Sequence, residues 1–525
     1  MLLEIYVRSF QDSDADGIGD LAGVTRRLDY LQWLGVDGIW LTPFYRSPMA
    51  DFGYDVSDYE DVDPLFGTLQ TFDELVAEAH RRGIRVIVDY VPNHTSDRHP
   101  WFIEARASRA SAKRDWYIWR DAASDGSLPN NWLSLFGGPA WEWDERSGQY
   151  YLHTFLREQP DLNWRHPEVR AAMFEVARFW IRHGVDGFRI DVAGAVMKDP
   201  DLRDNPPNPN PDPTAAAFGD QWESQLHGHQ FNHPDVDEVW REFRSFVDRY
   251  ANREAVLIAE VSSRDLPAWV RYYGEQLDAI HLPFGFHLLH HRWRTDSPRP
   301  IVDAVEAAIP KGAWPNWVLG NHDQHRVASK AGREWARAAM VLLLTLRGTP
   351  MLYYGDELGM TDVPVPPERV RDPWERNVPG LGRDPARTPM PWEPGPTGGF
   401  CPPGVEPWLP MGPTGRGCDV ATQMSDPTSM LSLTREVIRL RRLHPALALG
   451  SYRALDGTPP QVFAYLRELD GERLVVAINL SEEGHHCPLA GTGRVLVSSA
   501  TDRSDSFSGG IGLRPVEALV ARLED

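Results

Sequence analysis

Short apolar runs alternate along most of the chain with longer segments whose apolar residues recur about every three or four positions. Short runs are typical of buried strands, and the recurrence is typical of helices with one buried face. The runs predict eight strands, at residues 5–10, 38–41, 86–91, 187–191, 256–260, 278–283, 317–319 and 349–354. The recurrences predict helices at 21–34, 167–183, 302–309, 334–346 and 429–443. A further helix is predicted from residue 72 to a stop at Gly83, with Thr71 and Glu74 as its capping box. Such alternation predicts a parallel sheet.

The alternation is interrupted once and then ends. After Asn93 and His94, about seventy residues rich in Trp, Gly, Asn and Pro lack a regular period, which predicts an inserted subdomain. From about residue 451 the apolar residues follow a period of two, which is typical of antiparallel strands. The chain therefore predicts an α/β fold, a (β/α)8 TIM barrel with an inserted subdomain after strand 3 and a C-terminal antiparallel β domain. The predicted boundaries are 1–95 and 165–447 for the barrel, 96–164 for the inserted subdomain and 448–525 for the β domain.

Composition and charge narrow the expected partners. A chain of 525 residues with 42% hydrophobic content can bury a large core. The net charge of -21 argues against nucleic acid and anionic membranes, which would repel the protein, and favours a small neutral substrate. Cys401, Cys418 and Cys487 are too scattered for a disulfide framework or a zinc site. We expect a soluble cytoplasmic protein without an organic cofactor, and the sequence does not indicate its oligomeric state.

Polar side chains stand at the ends of several predicted strands. Asp89, Asn93 and His94 belong to the third strand and the loop after it, Arg189 and Asp191 end the fourth, Glu260 ends the fifth, and His322 and Asp323 follow the seventh. Because the carboxyl ends of barrel strands meet at one mouth, we expect these side chains to lie together. Arg189 is expected to lower the pKa of Asp191 and keep it ionised as a nucleophile. A buried ion pair is the alternative for these two residues alone, but the whole ring favours catalysis.

An acidic loop, Asp12-Ser-Asp-Ala-Asp-Gly-Ile-Gly-Asp20, follows the first predicted strand. Side-chain oxygens at alternate positions, with a glycine for the tight turn, suit a hard cation such as Ca²⁺. The loop is not an EF-hand, because its twelfth position is Gly23 rather than glutamate, and its glycines do not match the dinucleotide-binding fingerprint. A solvated acidic turn without a metal is the alternative, and we favour the metal site.

The motifs at the strand ends resemble, in order, the four sequence regions of the α-amylase superfamily, glycoside hydrolase family 13. They are Asp89-Tyr-Val-Pro-Asn-His-Thr-Ser96, Gly187-Phe-Arg-Ile-Asp191, Ala259-Glu260-Val261 and Asn321-His-Asp323. Gln159-Pro-Asp-Leu-Asn163, Asp51-Phe-Gly-Tyr54 and Ala386-Arg387-Thr-Pro-Met390 are similar to segments of its oligo-1,6-glucosidase and α-glucosidase branch. The resemblance extends from the first strand to the terminal β domain.

This resemblance implies a role for each matching residue. Asp191 would attack the anomeric carbon, and Glu260 would protonate the leaving oxygen and then activate water, with the two carboxyl groups about 5 to 5.5 Å apart. The charge of Asp191 is expected to raise the pKa of Glu260. Asp323 would bind hydroxyls and favour the distorted transition state. The implied sugar contacts are Tyr54, His94, Arg189 and His322, the pair Asp51 and Arg387 that would close the pocket, and Phe136 and Phe155, for which a core role is equally open. The implied ligands for Ca²⁺ or Mg²⁺ are the side chains of Asp12, Asp14, Asp16 and Asp20 and the carbonyl of Ile18.

The resemblance implies a retaining, exo-acting α-glucosidase that releases terminal glucose from short maltose- and isomaltose-type α-glucosides. An enzyme that transfers or re-adds the glucosyl group, of the trehalose synthase or sucrose isomerase type, would use the same catalytic residues and is the alternative. A non-catalytic relative, similar to the heavy subunits of amino-acid transporters, is disfavoured because the catalytic acids are kept and no membrane anchor is evident. Val192, beside the nucleophile, leaves the preferred linkage open.

Overall fold

The computed structural model describes residues 1–211, 219–251, 254–263, 265–415 and 417–524. Its strands, in chain order, are β1 (Leu2–Ile5), β2 (Gly38–Leu41), β3 (Tyr45–Arg46), β4 (Asp58–Val62), β5 (Arg85–Tyr90), β6 (Trp119–Arg120), β7 (Trp141–Asp144), β8 (Gln149–Leu152), β9 (Gly187–Ile190), β10 (Val256–Glu260), β11 (Leu282–Phe284), β12 (Asn316–Val318), β13 (Thr349–Tyr353), β14 (Ser451–Ala454), β15 (Val462–Leu469), β16 (Glu472–Asn479), β17 (His485–Ser498), β18 (Ser506–Leu513) and β19 (Ala518–Glu524).

Eight of these strands form one parallel sheet with the order β11-β10-β9-β5-β2-β1-β13-β12. Apart from strands that belong to other sheets, neighbours in this order are also neighbours along the chain, except that the first barrel strand, β1, pairs with the last, β13. The two edge strands, β11 and β12, lie beside each other and nearly close the sheet. This is the cyclic order of a (β/α)8 barrel and confirms the predicted fold class.

Helices cover the outside of the barrel. They are α1 (Val7–Phe10), α2 (Leu21–Arg26), α3 (Leu28–Leu34), α4 (Leu69–Arg81), α5 (Pro100–Ala107), α6 (Pro167–Arg182), α7 (Asp220–Glu223), α8 (Val236–Tyr250), α9 (Leu266–Val270), α10 (Arg299–Ala308), α11 (Val327–Ala331), α12 (Arg333–Thr345), α13 (Pro373–Asn377), α14 (Val420–Ser425), α15 (Met430–Leu443) and α16 (Pro445–Leu449). In α4 the buried residues Phe72, Leu75, Val76 and Ala79 lie on one face, as the sequence period predicts. No helix in the described part of the chain has both the length and the hydropathy to cross a membrane.

The first predicted strand is wrong over most of its length. Pairing of β1 with β2 ends at Ile5, and the next residues form the short helix α1 instead of extending the strand. Val7 and Phe10 are fully buried. The apolar residues that suggested a strand are therefore covered by tertiary contacts outside the sheet, which a local pattern does not distinguish from strand pairing.

Other boundaries also differ from prediction. The segment predicted as one helix at 21–34 forms α2 and α3, which meet at Arg27. Helix α4 begins before the predicted residue 72, because Thr68 is its N-cap and the Thr68 hydroxyl accepts a 3.2 Å hydrogen bond from the Thr71 N–H. The predicted capping box of Thr71 and Glu74 is therefore wrong. The sixth barrel strand, predicted at 278–283, is Leu282–Phe284.

The inserted segment after β5 contains helix α5 and a small antiparallel sheet with the order β6-β8-β7. Its packing is aromatic: Phe102 on α5 stacks on Trp119 with ring centroids 5.5 Å apart and lies edge-on to Tyr151 at 5.1 Å. The fold class with its insertion is thus confirmed, whereas the boundaries predicted at residues 95/96, 164/165 and 447/448 stay predictions.

The C-terminal strands form a six-stranded antiparallel sheet with the order β14-β15-β16-β19-β17-β18. Arg467 on β15 is fully buried and donates to the backbone oxygens of Thr345, at the end of α12, and of Gly450. Oxygens at the end of a helix carry a partial negative charge that suits a guanidinium. This contact joins the β domain to the barrel on the side of α12.

The barrel strands present their C-terminal ends to one cavity. Strand β9 begins at Gly187, whose φ of 159° and close approach to Val256 leave no room for a side chain: a Cβ would lie 2.1 Å from the Val256 oxygen. The close pairing of β9 with β10 brings Arg189 level with Ile258 in the parallel ladder. Arg189, and the acid that ends each of the two strands, are thereby placed at the same mouth.

Candidate active site

A cavity of about 370 Å³ opens at the C-terminal mouth of the barrel. All the catalytic and sugar-contacting residues predicted from sequence line it, except Arg189 and Arg387: these are Asp51, Tyr54, His94, Phe136, Phe155, Asp191, Glu260, His322 and Asp323. The expectation that polar residues at separate strand ends lie together is therefore met by the geometry. The volume of the cavity suits a small ligand rather than a polymer segment.

Arg189 lies beneath the cavity and contacts three carboxyl groups with one guanidinium. Its NH1 donates to Asp191 Oδ1 at 2.6 Å and to Asp89 Oδ1 at 3.0 Å, and its NH2 donates to Glu260 Oε2. The guanidinium also lies 4.6 Å from the ring of Trp40 and is fully buried. Because an arginine does not lose its proton in proteins, it provides a permanent positive charge between the two predicted catalytic carboxyl groups.

Burial has the largest influence on the pKa of Asp191, the candidate nucleophile. It raises the pKa of Asp191 well above the usual range, Arg189 opposes the shift, and Glu260 and Asp89 add to it. The predicted net lowering of the Asp191 pKa by Arg189 is therefore wrong, because burial and two neighbouring carboxyl groups outweigh one guanidinium.

The pKa of Glu260 is also raised, as predicted, but burial rather than the charge of Asp191 is the largest cause. Arg189 opposes this shift, and Asp323 adds to it. Asp191 and Glu260 contact the same guanidinium, and both have raised pKa values. The arrangement can hold one ionised and one protonated carboxyl group at the same time, which is the state that paired acid and nucleophile chemistry needs.

Asp323 lies in a more strongly cationic setting. Its Oδ1 accepts from Arg387 at 2.8 Å and from Arg383 at 3.2 Å, and its Oδ2 lies 3.3 Å from His322 Nε2. Burial acts to raise the pKa of Asp323, but these neighbours hold it well below its usual range. Asp323 is therefore a carboxylate that stays ionised beside the cavity.

An ion pair between Asp51 and Arg383 forms part of the cavity lining at one end. Arg383 NH2 donates to Asp51 Oδ1 at 2.7 Å, and both side chains are buried. Asp372 anchors the same guanidinium through Nε at 3.0 Å and NH2 at 2.7 Å. The rings of Phe136 and Trp374 lie 5.0 and 5.6 Å from it. The wall of this end is thus rigid and charged.

The predicted pairing of Asp51 with Arg387 is corrected by this geometry. Arg387 donates to Asp323 and, through Nε at 2.7 Å, to the backbone oxygen of His322, and it does not line the cavity. The two arginines flank a short 3₁₀ turn, Asp384–Ala386. Both donate to Asp323, and of the two it is Arg383 that also reaches Asp51. Sequence reasoning missed Arg383, although its position four residues before Arg387 was a usable signal.

His94, Tyr54 and Gln159 line the cavity beside Asp51. His94 is fully buried, its Nε2 lies 3.2 Å from the Tyr54 carbonyl oxygen, and burial lowers its pKa to about 4, so it is neutral. Gln159 belongs to one of the motifs quoted from the sequence, but its side chain was assigned no role there. Its amide nitrogen donates to Asp51 Oδ2 at 3.3 Å. Phe155 and Phe136 pack edge to face at 6.2 Å and also line the cavity, so each has both a packing and a lining position.

The outer part of the cavity contains residues that the sequence did not single out. Trp222 and His227 stack with ring centroids 3.5 Å apart and an angle of 11°, and Phe231, Phe286 and Asn232 line the same region. The segment that carries Trp222 and His227 lies between β9 and α8 and has no regular apolar period, so nothing in the sequence linked its aromatic residues to the cavity.

The acidic loop brings three of its four aspartates together. Carboxylate oxygens of Asp12, Asp14 and Asp20 lie within 4.8 Å of one another. Asp16 is outside this cluster among the described residues, and its Oδ1 accepts from the backbone of Ile18 at 2.8 Å. Three converging carboxylates are a donor set that fits a hard divalent cation. Burial raises the pKa of Asp20, as expected for a carboxylate held near others without a cation.

Comparison with known proteins places the geometry in a family. The α-amylase catalytic domain profile matches residues 4–450. A probable α-glucosidase of Rhizobium meliloti is 42% identical over 92% of this chain and 89% of its own length, and an oligo-1,6-glucosidase of Parageobacillus thermoglucosidasius is 37% identical over 92% and 90%.

Solved structures agree with this assignment. The α-glucosyl transfer enzyme XgtA superposes with a TM-score of 0.91 at 38% identity, covering 100% of this chain and 98% of that one. A variant of the trehalulose synthase MutB in complex with Tris gives 0.89 at 35% identity, covering 99% of both chains. The chain belongs to the α-amylase family, glycoside hydrolase family 13, and is a glycoside hydrolase.

Proposed function

We propose that this glycoside hydrolase is a retaining, exo-acting α-glucosidase that releases single glucose units from short α-glucosides. The observation that carries the proposal is the buried ion pair of Asp51 and Arg383, which lines the same cavity as Asp191 and Glu260. In the proposal this pair closes one end of the cavity. A closed end beside the catalytic carboxyl groups admits one terminal sugar and stops a chain from extending further. The curated relatives named as α-glucosidase and oligo-1,6-glucosidase support the substrate class, and the proposal includes both α-1,4 and α-1,6 linkages.

The proposed mechanism uses both carboxyl groups in two steps. Asp191 forms a bond to the anomeric carbon while Glu260 gives its proton to the oxygen of the breaking glycosidic bond, which releases the leaving sugar. Glu260 then takes a proton from water, and the resulting hydroxide oxygen replaces Asp191 at the same carbon. In each of these two carboxyl groups Arg189 contacts one oxygen, Oδ1 of Asp191 and Oε2 of Glu260. The other oxygen of each group is left for the sugar. The prediction of about 5 to 5.5 Å between the carboxyl groups is consistent with their sharing one guanidinium.

Asp323 has the proposed role of a fixed negative charge near the reacting sugar. Its low pKa keeps it ionised throughout, so it can accept hydrogen bonds from two hydroxyls and favour positive charge on the ring. The His322 Nε2 lies 3.3 Å from the Asp323 carboxylate and 2.9 Å from the Tyr54 hydroxyl, and it would donate to the same sugar. Interactions that strengthen as the ring becomes planar and cationic increase kcat rather than binding alone.

A second candidate function is transfer of the glucosyl group to another sugar. Two observations favour it: the structural neighbours include an α-glucosyl transfer enzyme and a trehalulose synthase, and the outer wall of the cavity is aromatic, with Trp222, Phe231 and Phe286. An apolar wall over the covalent intermediate would exclude water and favour a sugar acceptor.

One experiment separates the two functions. Purified protein is incubated with maltose, isomaltose, sucrose and trehalose, and glucose and all oligosaccharide products are followed with time by NMR. The expected result is free glucose released first as the α anomer. New disaccharides with little glucose would make transfer the main activity, and glucose released as the β anomer would contradict a retaining mechanism.

We also propose that the loop cluster of Asp12, Asp14 and Asp20 holds Ca²⁺ or Mg²⁺ in a structural site, with Asp16 and the Ile18 carbonyl as further ligands. A bound cation would neutralise the carboxylates and fix the loop that joins α1 to α2. The same loop contacts a distant segment, because the N–H of Asp12 donates to the Phe400 oxygen at 3.0 Å and the N–H of Trp408 donates to the Gly17 oxygen at 2.9 Å. The metal would thereby stabilise the packing of residues 400–408 against the barrel.

A further inference from the structure

Glu4, on the first barrel strand, lies directly behind His322. Its side chain is 1% exposed, and its Oε1 lies 2.5 Å from the Nδ1 of His322, which is also 1% exposed. The backbone N–H of His322 donates to the same oxygen at 3.3 Å. None of the sequence motifs at the strand ends contains Glu4, and it does not line the cavity.

The His322 ring is held so that only its Nε2 faces the cavity side. Tyr54 stacks on one face at 5.4 Å and 9°, and Tyr6 stacks at 5.7 Å and 19°. Glu4 holds Nδ1, and Nε2 lies 2.9 Å from the Tyr54 hydroxyl oxygen and 3.3 Å from Asp323 Oδ2. Stacking fixes the plane of the ring, and Glu4 fixes its rotation within that plane.

The hydrogen-bond partners define where the ring carries a proton. The Tyr54 hydroxyl donates its single proton to Asp89 Oδ2 at 3.0 Å, so the Tyr54 oxygen can only accept from His322. Asp323 is ionised and can also only accept. Both partners of Nε2 are therefore acceptors, and Nε2 must carry a hydrogen. Nδ1 then either accepts a proton from Glu4 or carries a second hydrogen, which would make His322 a cation.

We propose that Glu4 is a positioning residue that is protonated in the folded enzyme, donates to Nδ1 of His322, and thereby holds His322 as the neutral tautomer with hydrogen on Nε2. In this state His322 directs a donor toward Asp323 and the bound sugar without adding a positive charge. The sugar contact rests on the function proposed above, whereas the tautomer does not depend on it.

Electrostatics favours this neutral pair over an ion pair. Burial raises the pKa of Glu4 well above the usual range, with Arg189 opposing and Asp323 and Asp89 adding to the shift. Burial lowers the pKa of His322 well below its usual range, Asp323 opposes, and Arg387, Arg189 and Arg383 add to the lowering. Moving the shared proton from Glu4 to His322 would create two charges without water to solvate them.

The test combines two substitutions of Glu4 with a matched control. In Glu4→Gln the amide N–H replaces the acid O–H as donor to Nδ1, so we expect kcat/KM for the hydrolysed disaccharide within about threefold of wild type. Glu4→Leu leaves Nδ1 without a partner, and we expect kcat/KM to fall about ten- to hundredfold. The control is Glu357→Gln and Glu357→Leu, since Glu357 is another fully buried carboxyl group, bonded to Tyr30 outside the cavity. Neither control is expected to change kcat/KM.

A direct readout of the tautomer accompanies the kinetics. In protein labelled with ¹⁵N-histidine, the His322 signals, assigned by their loss in His322→Asn, should report a protonated Nε2 and an unprotonated Nδ1 in wild type and in Glu4→Gln. A protonated Nδ1 in wild type would overturn the proposal, as would a loss in Glu4→Gln equal to that in Glu4→Leu, or equal losses in the Glu4 and Glu357 leucine variants. If Glu4→Leu does not fold, the histidine NMR signals of wild type and Glu4→Gln still test the proposal. If wild type hydrolyses no α-glucoside, the proposed function fails, and the tautomer is still tested by NMR.

Discussion

The guanidinium of Arg383 donates a 2.7 Å hydrogen bond to Asp51, although 332 positions separate the two residues along the chain. Both side chains are buried, and the same guanidinium also contacts Asp323 and Asp372. One cation therefore links two carboxyl groups of the cavity lining, those of Asp51 and Asp323. A guanidinium can do this because its five N–H donors point in fixed, divergent directions.

Opening the closed end should change which products are formed. In Asp51→Ala we expect kcat/KM for maltose to fall at least a hundredfold, because the terminal glucose loses a wall and a partner. With maltohexaose as substrate, oligosaccharides larger than glucose should become a measurable share of the first products. Chromatography of the earliest time points checks this. Release of glucose alone by Asp51→Ala would contradict an exo preference that depends on this pair.

Removing Arg383 should cost more stability than removing an arginine of a surface ion pair. Arg383→Ala leaves the buried carboxyl groups of Asp51 and Asp372, and the partly exposed one of Asp323, without their shared cation. We expect a loss of about 3 to 5 kcal/mol in the free energy of unfolding. The comparison is Arg369→Ala, whose partner Glu406 is largely exposed and for which we expect less than about 1 kcal/mol. Chemical denaturation of both variants measures the difference, and similar losses would contradict the central role of Arg383.

The two catalytic candidates should respond differently to the leaving group. Asp191→Ala should lose at least about a thousandfold in kcat on every α-glucoside, because no nucleophile remains. Glu260→Gln should lose a similar factor on maltose but much less on an aryl glucoside, whose leaving oxygen needs no proton. Steady-state and burst kinetics with both substrates check this. An Asp191→Ala enzyme that still hydrolyses maltose would exclude Asp191 as the nucleophile.

The pH dependence of kcat/KM should be bell-shaped. Activity requires ionised Asp191 and protonated Glu260, so it is lost on the acid side as Asp191 gains a proton and on the alkaline side as Glu260 loses one. Both pKa values are raised, mainly by burial, so the acid limb should lie above the ordinary aspartate pKa of about 4. In Glu260→Gln, measured on an aryl glucoside, the alkaline limb should disappear. An alkaline limb of unchanged position there would assign it to another group.

The stability of the fold should depend on pH through Glu357. Burial raises the pKa of this carboxyl group to about 7, and its Oε1 accepts from the Tyr30 hydroxyl at 2.9 Å. Because the folded-state pKa is raised, its stabilising contribution is complete below the unfolded pKa of about 4.3 and is lost as pH rises to about 7. Glu357→Gln stays neutral, so we expect it to match wild type at low pH and to be more stable by about 1 to 3 kcal/mol at pH 8. Melting temperatures across this range test the trend, and a difference that does not change with pH would contradict it.

Metal addition should stabilise the protein through the acidic loop. We expect millimolar Ca²⁺ or Mg²⁺ to raise the melting temperature by several degrees after treatment with a chelator, because an ion that binds only the folded state stabilises it. Asp14→Asn should reduce this response strongly, since Asp14 belongs to the three-carboxylate cluster. Asp61→Asn, at an exposed ion pair elsewhere, should leave it unchanged. An equal response in both variants would place the metal outside this loop.

Sequence reasoning predicted the positions of candidate catalytic residues that stand at the ends of strands. Asp191 and Glu260 end short apolar runs, and barrel geometry brings such ends together, so their meeting at one mouth was predictable from the pattern of the chain. The lining positions of Asp51 and Tyr54 were predicted only through resemblance, because loops have no period that places their side chains.

Sequence reasoning failed where two similar residues compete for one partner. Arg383 and Arg387 stand on either side of one short turn, and a one-dimensional pattern does not indicate which of them reaches Asp51. The same limit applies to the net pKa of Asp191, since the strength of burial around Arg189 depends on the packing of several strands. It also applies to Trp222, which lies in a segment without regular apolar spacing.

By itself, the sequence determined the order of strands, the residues at their ends and the family, because alternation of apolar periods and short motifs are local properties of a chain. Only the tertiary structure decided that Arg383 pairs with Asp51, that Arg189 contacts three carboxyl groups, and that Glu4 lies behind His322. These relationships join residues from distant strands and loops. Their energies depend on distance and on the exclusion of water, which the chain acquires only when it folds.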